Sequence, residues 1–285
     1  MSSRVIELFG ESTGSDLAVN LWHDHIDRQQ CPYLGKKCIK VRKSSPDIAI
    51  GTCTVAHGTE RMAVMICPHR LLERRKIFVD SIHLLTLHEP GNELHIIPEV
   101  TLPGGNVDYF LASARGGKVR DFIGIELQTL DSTGTVWPER QRFLNSLGIA
   151  AEASDVESEK PFGMNWKMTA KTILVQLHHK IETFEHLNKH LVLVVQDHLL
   201  AYMQREFSFG HLANPARLGD FMHFHGYALE PVDKRYEIQL ARRLSTDAAG
   251  IGQALGLQSN AKVELDSITR ALEAKMSSRT ILSPV

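Results

Sequence analysis

The sequence predicts an α/β fold, with a mixed β-sheet flanked by helices and a small N-terminal subdomain that contains four cysteines. Three observations lead to this prediction. Apolar segments of strand length recur between residues 94 and 130, apolar residues follow at helical spacing over 165–188, and a continuous run of Val and Leu occupies 191–195. Strands followed by alternating helix and strand are typical of an α/β or α+β core.

The sheet begins with three predicted strands. They cover about 94–102, 107–112 and 122–130, and glycine pairs at 104–105 and 116–117 mark the turns between them. Turns this short indicate that neighbouring strands form hairpins.

Two helices and a buried strand complete the predicted core. The first helix covers about 165–188, and the residues that recur there at helical spacing are Met168, Ile173, Leu177, Ile181 and Phe184. The apolar run at 191–195 suits a central strand that is covered on both faces. A second helix is expected at about 199–207.

The regions before this core are shorter and less regular. A short helix is expected within 13–21, capped by Ser15 or Asp16, and short strands are expected at 51–55 and 63–66. Residues 77–87 form either a strand or a buried helix, because their periodicity does not decide between the two.

The remaining predictions concern the segment after the third strand and the C-terminal end of the sequence. An acidic, polar stretch at 150–160 is expected to be a loop. Helices are expected at 247–255 and 263–276, and two ordinary packed helices are favoured there over a helix-turn-helix DNA reader.

The composition is that of an ordinary globular protein, with 285 residues of which 43% are hydrophobic and 23% charged. No apolar run reaches the roughly 18–20 residues that a membrane helix needs, and the N-terminus lacks the apolar stretch of a signal peptide. We therefore expect a cytoplasmic protein with no membrane partner. The net charge of −1 does not favour a nucleic-acid binder, but cations cluster at 36–43 and at 70–76.

Four cysteines lie within 37 residues of one another at C-x6-C-x14-C-x13-C spacing, and they are Cys31, Cys38, Cys53 and Cys67. Disulfides are not expected without a secretory signal, whereas four thiolates can bind zinc or iron tetrahedrally. Such a closed site would be structural, and would staple a metal-binding subdomain over 1–80, leaving 81–285 as the catalytic domain. Two alternatives stay open: a mixed site that uses His57 or His69, and four buried free thiols.

Acidic residues recur on the predicted strands. On the third strand, Glu126 and Gln128 share one face, whereas the opposite face is formed by Ile123, Ile125 and Leu127. Asp108 lies on the neighbouring strand, close enough across the hairpin to reach the same point as Glu126. Two carboxylates at the end of a sheet can hold magnesium and leave positions open for water and phosphate. Glu99 precedes Asp108 in the same region and is added as a candidate catalytic acid.

This arrangement resembles the core of the PD-(D/E)xK nucleases, in which an acidic residue, a turn and an E-x-K strand are followed by a helix and a strand. The lysine position of that motif is Gln128 in this chain. Either Gln128 orients the attacking water through hydrogen bonds, or a lysine elsewhere supplies the missing charge. The candidates for such a lysine are Lys118, Lys167 and Lys171.

Taken together, the cysteines and the E-x-Q strand resemble one family, the NotI-type restriction endonucleases. The resemblance covers about residues 25–205, and the segments that carry it are Cys31-Pro32 through Cys38, Arg42-Lys43-Ser44, Ile50-Gly51-Thr52-Cys53, Asp108, Glu126-Leu127-Gln128, Asn165-Trp166-Lys167-Met168 and 191–197. It implies a restriction-endonuclease-like fold and a homodimer that cuts both strands of a palindromic, GC-rich site in double-stranded DNA. It also implies structural iron in the four-cysteine site and catalytic magnesium on Asp108 and Glu126, although the sequence itself does not distinguish iron from zinc.

The leading hypothesis is therefore a type II site-specific deoxyribonuclease with an active site formed by Asp108, Glu126, Gln128 and Glu99. Arg42 and Lys43 are chosen as its DNA contacts. Two alternatives remain, a non-catalytic metal-stapled nucleic-acid-binding protein and a repair nuclease that selects DNA structure. Gln176 is expected to be an exposed helix residue, and most of the 15 histidines are expected to be surface or core residues.

Overall fold

Two β-sheets form the framework of the computed structural model, which describes residues 3–257, 269–270 and 273–274. The smaller sheet lies near the N-terminus and has the strand order β2-β1-β3-β4. Its strands are β1 (Val5–Leu8), β2 (Glu11–Ser12), β3 (Thr52–His57) and β4 (Met62–Met65). The strands predicted at 51–55 and 63–66 are thus confirmed to within two residues.

The larger sheet has six strands in the order β10-β9-β8-β7-β6-β5. They are β5 (Glu93–Leu102), β6 (Gly105–Arg115), β7 (Lys118–Gln128), β8 (Leu191–Gln196), β9 (Met222–Val232) and β10 (Arg235–Thr246). The central strand β8 runs parallel to β7 and to β9, and the remaining neighbours are antiparallel. The predicted mixed sheet is therefore confirmed, together with its two tight hairpins.

Helices α1 (Val19–Arg28), α2 (Trp137–Ser146), α3 (Trp166–His186), α4 (Asp197–Glu206) and α5 (Ala248–Ala254) surround the sheets. Helix α3 supplies the apolar residues that cover one face of the central sheet. Its buried side chains include Ile173, Leu177 and Phe184, which belong to the same cluster as Leu191 and Leu193 of β8. Because both faces of β8 are covered, all six of its residues are buried.

The opposite face of the central sheet is covered by the segment that follows β4. Ile123, Ile125 and Val194 lie in one cluster with Leu71 and Ile77 of that segment. The segment consists of short helical turns: 3₁₀ turns at Pro68–Arg75 and Ile82–Leu84, and an α-helical turn at Lys76–Val79. Residues 77–87, for which the sequence left strand or helix open, are thus helical where they are regular.

Three predictions about helices need correction. The N-terminal helix begins at Val19 and not within 13–18, because the amide and hydroxyl of Thr13 bond to carbonyls of β1 and hold that segment extended. Met168 is 54% exposed, so it lies outside the apolar face of α3. The acidic stretch 150–160 contains a helical turn at Ala153–Val156.

Several elements were not predicted at all, namely α2 and the long hairpin of β9 and β10. The predicted helix at 247–255 is confirmed by α5. The helix predicted at 263–276 lies largely outside the described residues. No helix within the described part of the chain is long and apolar enough to cross a membrane.

Apolar residues of the N-terminal sheet pack into the hydrophobic clusters on both faces of the central sheet. Val55 and Val64 lie in the cluster that contains α3, and Met65 lies in the cluster on the opposite face. The Gln196 side chain, at the end of β8, accepts from the Met65 amide at 2.9 Å and donates to the Ala63 carbonyl at 2.8 Å. The division of the chain near residue 80 stays a prediction.

Candidate active site and cysteine cluster

The two predicted carboxylates meet where the hairpin of β6 and β7 stops pairing through its backbone. The last paired residues are Tyr109 and Ile125, so that Asp108 and Glu126 come next on their strands. There the Asp108 Oδ2 atom accepts a hydrogen bond from the Leu127 amide at 2.8 Å. A carboxylate thus replaces the backbone acceptor, and Asp108 is fixed beside the strand that carries Glu126.

A lysine that the sequence interpretation overlooked lies against this pair. The Lys180 Nζ atom of α3 is 2.7 Å from Glu126 Oε1, and the two side chains are only 10% and 6% exposed. A charged pair this close and this well buried is expensive to desolvate unless both partners are satisfied. Lys180 therefore places a positive charge beside the two carboxylates.

The position of Lys180 follows from how α3 packs on the sheet. Lys180 lies three residues after Leu177 and four before Phe184, so it falls on the buried stripe of the helix. Gly124, two residues before Glu126 on β7, leaves space for Phe184: a Cβ atom there would lie 2.4 Å from the ring. A lysine within an apolar helical stripe was the signal in the sequence that would have identified this residue.

The surroundings of Glu126 change its protonation. Burial raises the pKa of this carboxyl, the hydrogen bond and charge of Lys180 lower it, and the nearby Asp108 charge raises it, so that the resulting pKa is about 7. Glu126 therefore changes charge near neutral pH, as a group that holds a metal ion or moves a proton can do.

An open cavity of about 410 Å³ gives access to these groups. Asp108, Glu126 and Lys180 contribute to its wall, and the other lining residues are Gly104, Gly105, Asn106, Leu127, Gln128, Ile173, Gln176 and His179. Gln176 is exposed, as expected, but it faces this cavity. The site thus combines two carboxylates, a lysine and three amide side chains around a space that a phosphate could enter.

Other predicted site residues lie elsewhere. Glu99 is exposed on the edge strand β5 and does not line the cavity. Lys118 begins β7, so it lies roughly 26 Å along the strand from Glu126. Lys167 and Lys171 are exposed on the first half of α3 and are absent from the cavity wall. Among the lysines, the structure brings Lys180 to the carboxylates and none of these three candidates.

The four cysteines are free thiols that lie near one another. Burial raises the pKa of Cys31, Cys53 and Cys67, and the charges of neighbouring cysteines add to each shift. Backbone amides point at three of the sulfur atoms and lower their pKa: those of Tyr33 and Leu34 at Cys31, that of Gly10 at Cys53 and that of His69 at Cys67. Amides directed at sulfur stabilise a thiolate, which is the form that binds metal.

No three His, Cys, Asp or Glu side chains among the described residues already stand in the arrangement of a metal site. The donor set of the cysteine cluster nevertheless fits iron or zinc chemically, since it consists of four thiols, and backbone amides are directed at three of them. The Asp108–Glu126 pair offers the hard oxygen donors that magnesium prefers. The cysteine cluster and the carboxylate pair thus contain side chains of the types that bind these metals, but among the described residues they are not arranged as a coordination site.

The cysteine cluster and the carboxylates are near neighbours. His69, two residues after Cys67, has a pKa lowered by burial and by Lys40, and the Asp108 carboxylate acts against this shift. On the other side, burial raises the pKa of Tyr109, and the charges of Asp108, Glu99 and Cys31 contribute. The cysteine cluster thus lies within electrostatic range of the strand that carries Asp108.

The predicted DNA contacts line a groove of about 1210 Å³. Arg42 is already engaged: its guanidinium lies 4.5 Å from the centre of the Trp137 ring and 3.3 Å from Asp155. Lys43 is exposed at the same groove, and Lys40 and Lys160 also line it. Arg42 thus shapes the groove wall, while Lys43 is exposed and can reach a ligand.

Three other histidines, His179, His223 and His225, divide between the two faces of the sheet. His179 lines the active-site cavity. His223 and His225 are buried on β9, opposite Val192 and Val194, and so share the face of Ile125 and not that of Glu126. They are core residues, as expected for most histidines of this chain.

No protein-family model matches the chain, and no curated protein matches it either. The site is therefore interpreted from its own geometry.

Proposed function

We propose that this protein is a magnesium-dependent phosphodiester hydrolase that cuts double-stranded DNA, and specifically a type II restriction endonuclease of the NotI type. The observation that carries the proposal is the buried Glu126–Lys180 pair beside Asp108 in an open cavity. Two carboxylates and a lysine are the functional groups of the PD-(D/E)xK nucleases, and here the lysine comes from a helix.

Asp108 and Glu126 would hold the magnesium ion. When bound, magnesium supplies positive charge at the scissile phosphate and lowers the pKa of a ligated water. In the reaction, a water oxygen forms a bond to phosphorus and the bond to the 3′ oxygen breaks, which leaves a 5′-phosphate and a 3′-hydroxyl. One water is consumed, and its protons end on the leaving oxygen and on solvent or phosphate.

Lys180 has two roles in this proposal. Its ammonium holds Glu126 in place, and it stabilises negative charge that develops on the attacked phosphate. Gln128 and Gln176 lie on the wall of the same cavity and can orient the attacking water by hydrogen bonding. Glu99 has no role in this account.

A structural metal at Cys31, Cys38, Cys53 and Cys67 is part of the proposal, with iron as the family resemblance implies and zinc as the chemical alternative. Elemental analysis of the purified chain tests it, with about one metal ion per chain expected. Cys53→Ser should abolish that content, whereas loss in His57→Ala or His69→Ala would indicate a mixed site. A wild-type protein without stoichiometric metal would contradict this part.

DNA recognition is proposed for the groove beside Lys43, with a homodimer matching a palindromic target. The test of function is incubation of plasmid DNA with the protein and magnesium, and the matched variants Asp108→Ala and Glu99→Ala. Discrete fragments that disappear with Asp108→Ala but not with Glu99→Ala are expected. DNA that is bound but never cut would favour the non-catalytic binding protein, and random degradation would favour a repair nuclease.

A further inference from the structure

We propose that the Pro103–Gly104 turn is a positioning element that holds Lys180 against Glu126, and that Gly104 is the residue that makes this contact possible. The positioning of Lys180 against Glu126 by Gly104 can be tested independently of any catalytic activity. Its consequence for catalysis rests on the proposed function.

The turn lies directly on the backbone of α3. Gly104, with a φ of +96°, approaches the helix so closely that a Cβ atom would lie 2.4 Å from the His179 carbonyl oxygen and 3.3 Å from the Lys180 Cα atom. At the next residue, Gly105, an added Cβ atom would lie 3.5 Å from the Lys180 Cε atom, which is an ordinary van der Waals contact. Only glycine allows both this backbone conformation and this approach.

A hydrogen bond fixes the turn to the same helix. The Thr183 hydroxyl donates to the Pro103 carbonyl at 3.0 Å, one turn of helix after His179. The strand that leaves the turn carries Asp108 only four residues after Gly104. One rigid connection thus sets the distance between the helix that carries Lys180 and the hairpin that carries both carboxylates.

A side chain at position 104 would force these elements apart. The carbonyl of His179 belongs to the helix backbone and cannot rotate away. To bring the Cβ–oxygen distance from 2.4 Å to the 3.0 Å that real Cβ atoms need, the turn and α3 must move apart by at least about 0.6 Å. Lys180 is held at 2.7 Å from Glu126, and a shift of this size weakens a charged hydrogen bond and misplaces a catalytic group.

Gly91→Ala is a matched control for Gly104→Ala. Gly91 has a similar φ of +90°, and no atom lies within 4 Å of the place its Cβ would occupy. Both substitutions place alanine at a similar positive φ, and only the one at position 104 introduces a clash with α3.

The positioning is tested without metal or DNA. Urea unfolding of wild type, Glu126→Gln, Lys180→Met and the double variant gives the coupling between the two side chains. We expect this coupling to persist with Gly91→Ala and to be lost with Gly104→Ala. Coupling of equal size in the two alanine backgrounds would overturn the inference, whether or not the chain cuts DNA.

The catalytic consequence is tested with magnesium and DNA. Gly104→Ala should lower kcat by about 10- to 100-fold with little change in KM, and should cause no further loss in a Lys180→Met background. If Gly104→Ala does not fold, Thr183→Val removes only the hydroxyl bond to Pro103 and should lower kcat in the same direction. Additive losses, or equal kcat for Gly104→Ala and Gly91→Ala, would overturn the inference; a wild type without cleavage would instead refute the proposed function.

Discussion

Lys180 lies on the buried face of α3, at a position where helical periodicity predicts an apolar side chain. Its ammonium and the Glu126 carboxylate are both nearly removed from solvent, and apolar residues of similar volume in place of such a pair often leave stability unchanged or improve it. Retention of a buried pair beside an open cavity is therefore better explained by function than by stability.

At the residue scale, Lys180→Met should lower DNA cleavage by about 100-fold or more, because positioned charge at a scissile phosphate contributes on that order. Lys171→Met changes the same residue type two to three turns earlier on the exposed side of α3 and should stay within about threefold of wild type. Plasmid cleavage under single-turnover conditions measures both. Equal losses in the two variants would remove Lys180 from the active site.

The charge state of Glu126 predicts a pH dependence. Because burial raises its pKa to about 7, the carboxyl is mostly neutral at pH 6 and mostly ionised at pH 8. Magnesium requires the ionised form, so cleavage at limiting magnesium should rise about tenfold between these pH values. A flat profile across this range would show that Glu126 does not limit metal binding.

At the scale of elements, the contact between α3 and β7 depends on the absence of a side chain at Gly124. Gly124→Ala would place a methyl group against the rigid Phe184 ring, and overpacking of a core costs about 1–3 kcal/mol of unfolding free energy. Urea unfolding should show this loss, whereas Gly219→Ala, which meets no atom within 4 Å, should change stability little. Full stability of Gly124→Ala would mean that the helix can move away freely.

The sequence predicted the elements whose pattern is local. The stripe of Ile173, Leu177 and Phe184 identified α3, and the glycine turns identified the hairpins around Asp108. The hairpin of β9 and β10 was missed because its register shifts between Gly226 and Tyr227, which interrupts the polar–apolar alternation of β10 after Leu240. Strand alternation becomes hard to recognise when a bulge reverses the faces.

The candidate active site was only partly predicted, because only some of its residues are close to one another in the sequence. Asp108 and Glu126 are neighbours across a short hairpin, so the sequence alone could place them together. Lys180 is 54 residues from Glu126, and only the packing of α3 on the sheet brings them into contact. Glu99 was included on nearness in sequence, but it lies on an exposed edge outside the cavity.

At the scale of the molecule, buried histidines predict how stability depends on pH. Burial lowers the pKa of His223 and His225 to about 3, and their neighbours His190 and Arg243 contribute to the shifts. The unfolded chain takes up these protons near pH 6.5 and the folded chain does not. The free energy of unfolding is therefore highest above pH 6.5, where both histidines are neutral in the folded and the unfolded chain, and it decreases as the pH falls toward 3.

Each histidine should therefore cost roughly 2 kcal/mol of unfolding free energy between pH 7.5 and pH 5. His225→Leu should remove the contribution of His225 to this pH dependence, because leucine does not titrate. The substitution breaks no hydrogen bond, since both ring nitrogens lack partners among the described residues. His23→Leu, at an exposed position on α1, should leave it unchanged. Urea unfolding at the two pH values provides the measurement, and an unchanged dependence in His225→Leu would contradict the assignment.

We propose that the carboxylate–lysine site cuts DNA at a defined sequence. The decisive experiment is incubation of genomic DNA with the protein and magnesium, followed by sequencing of the newly formed ends. One palindromic, GC-rich sequence is expected at every end, with 5′-phosphates, and no new ends are expected with Lys180→Met. Uncut DNA, or ends without a common sequence, would refute the proposed function.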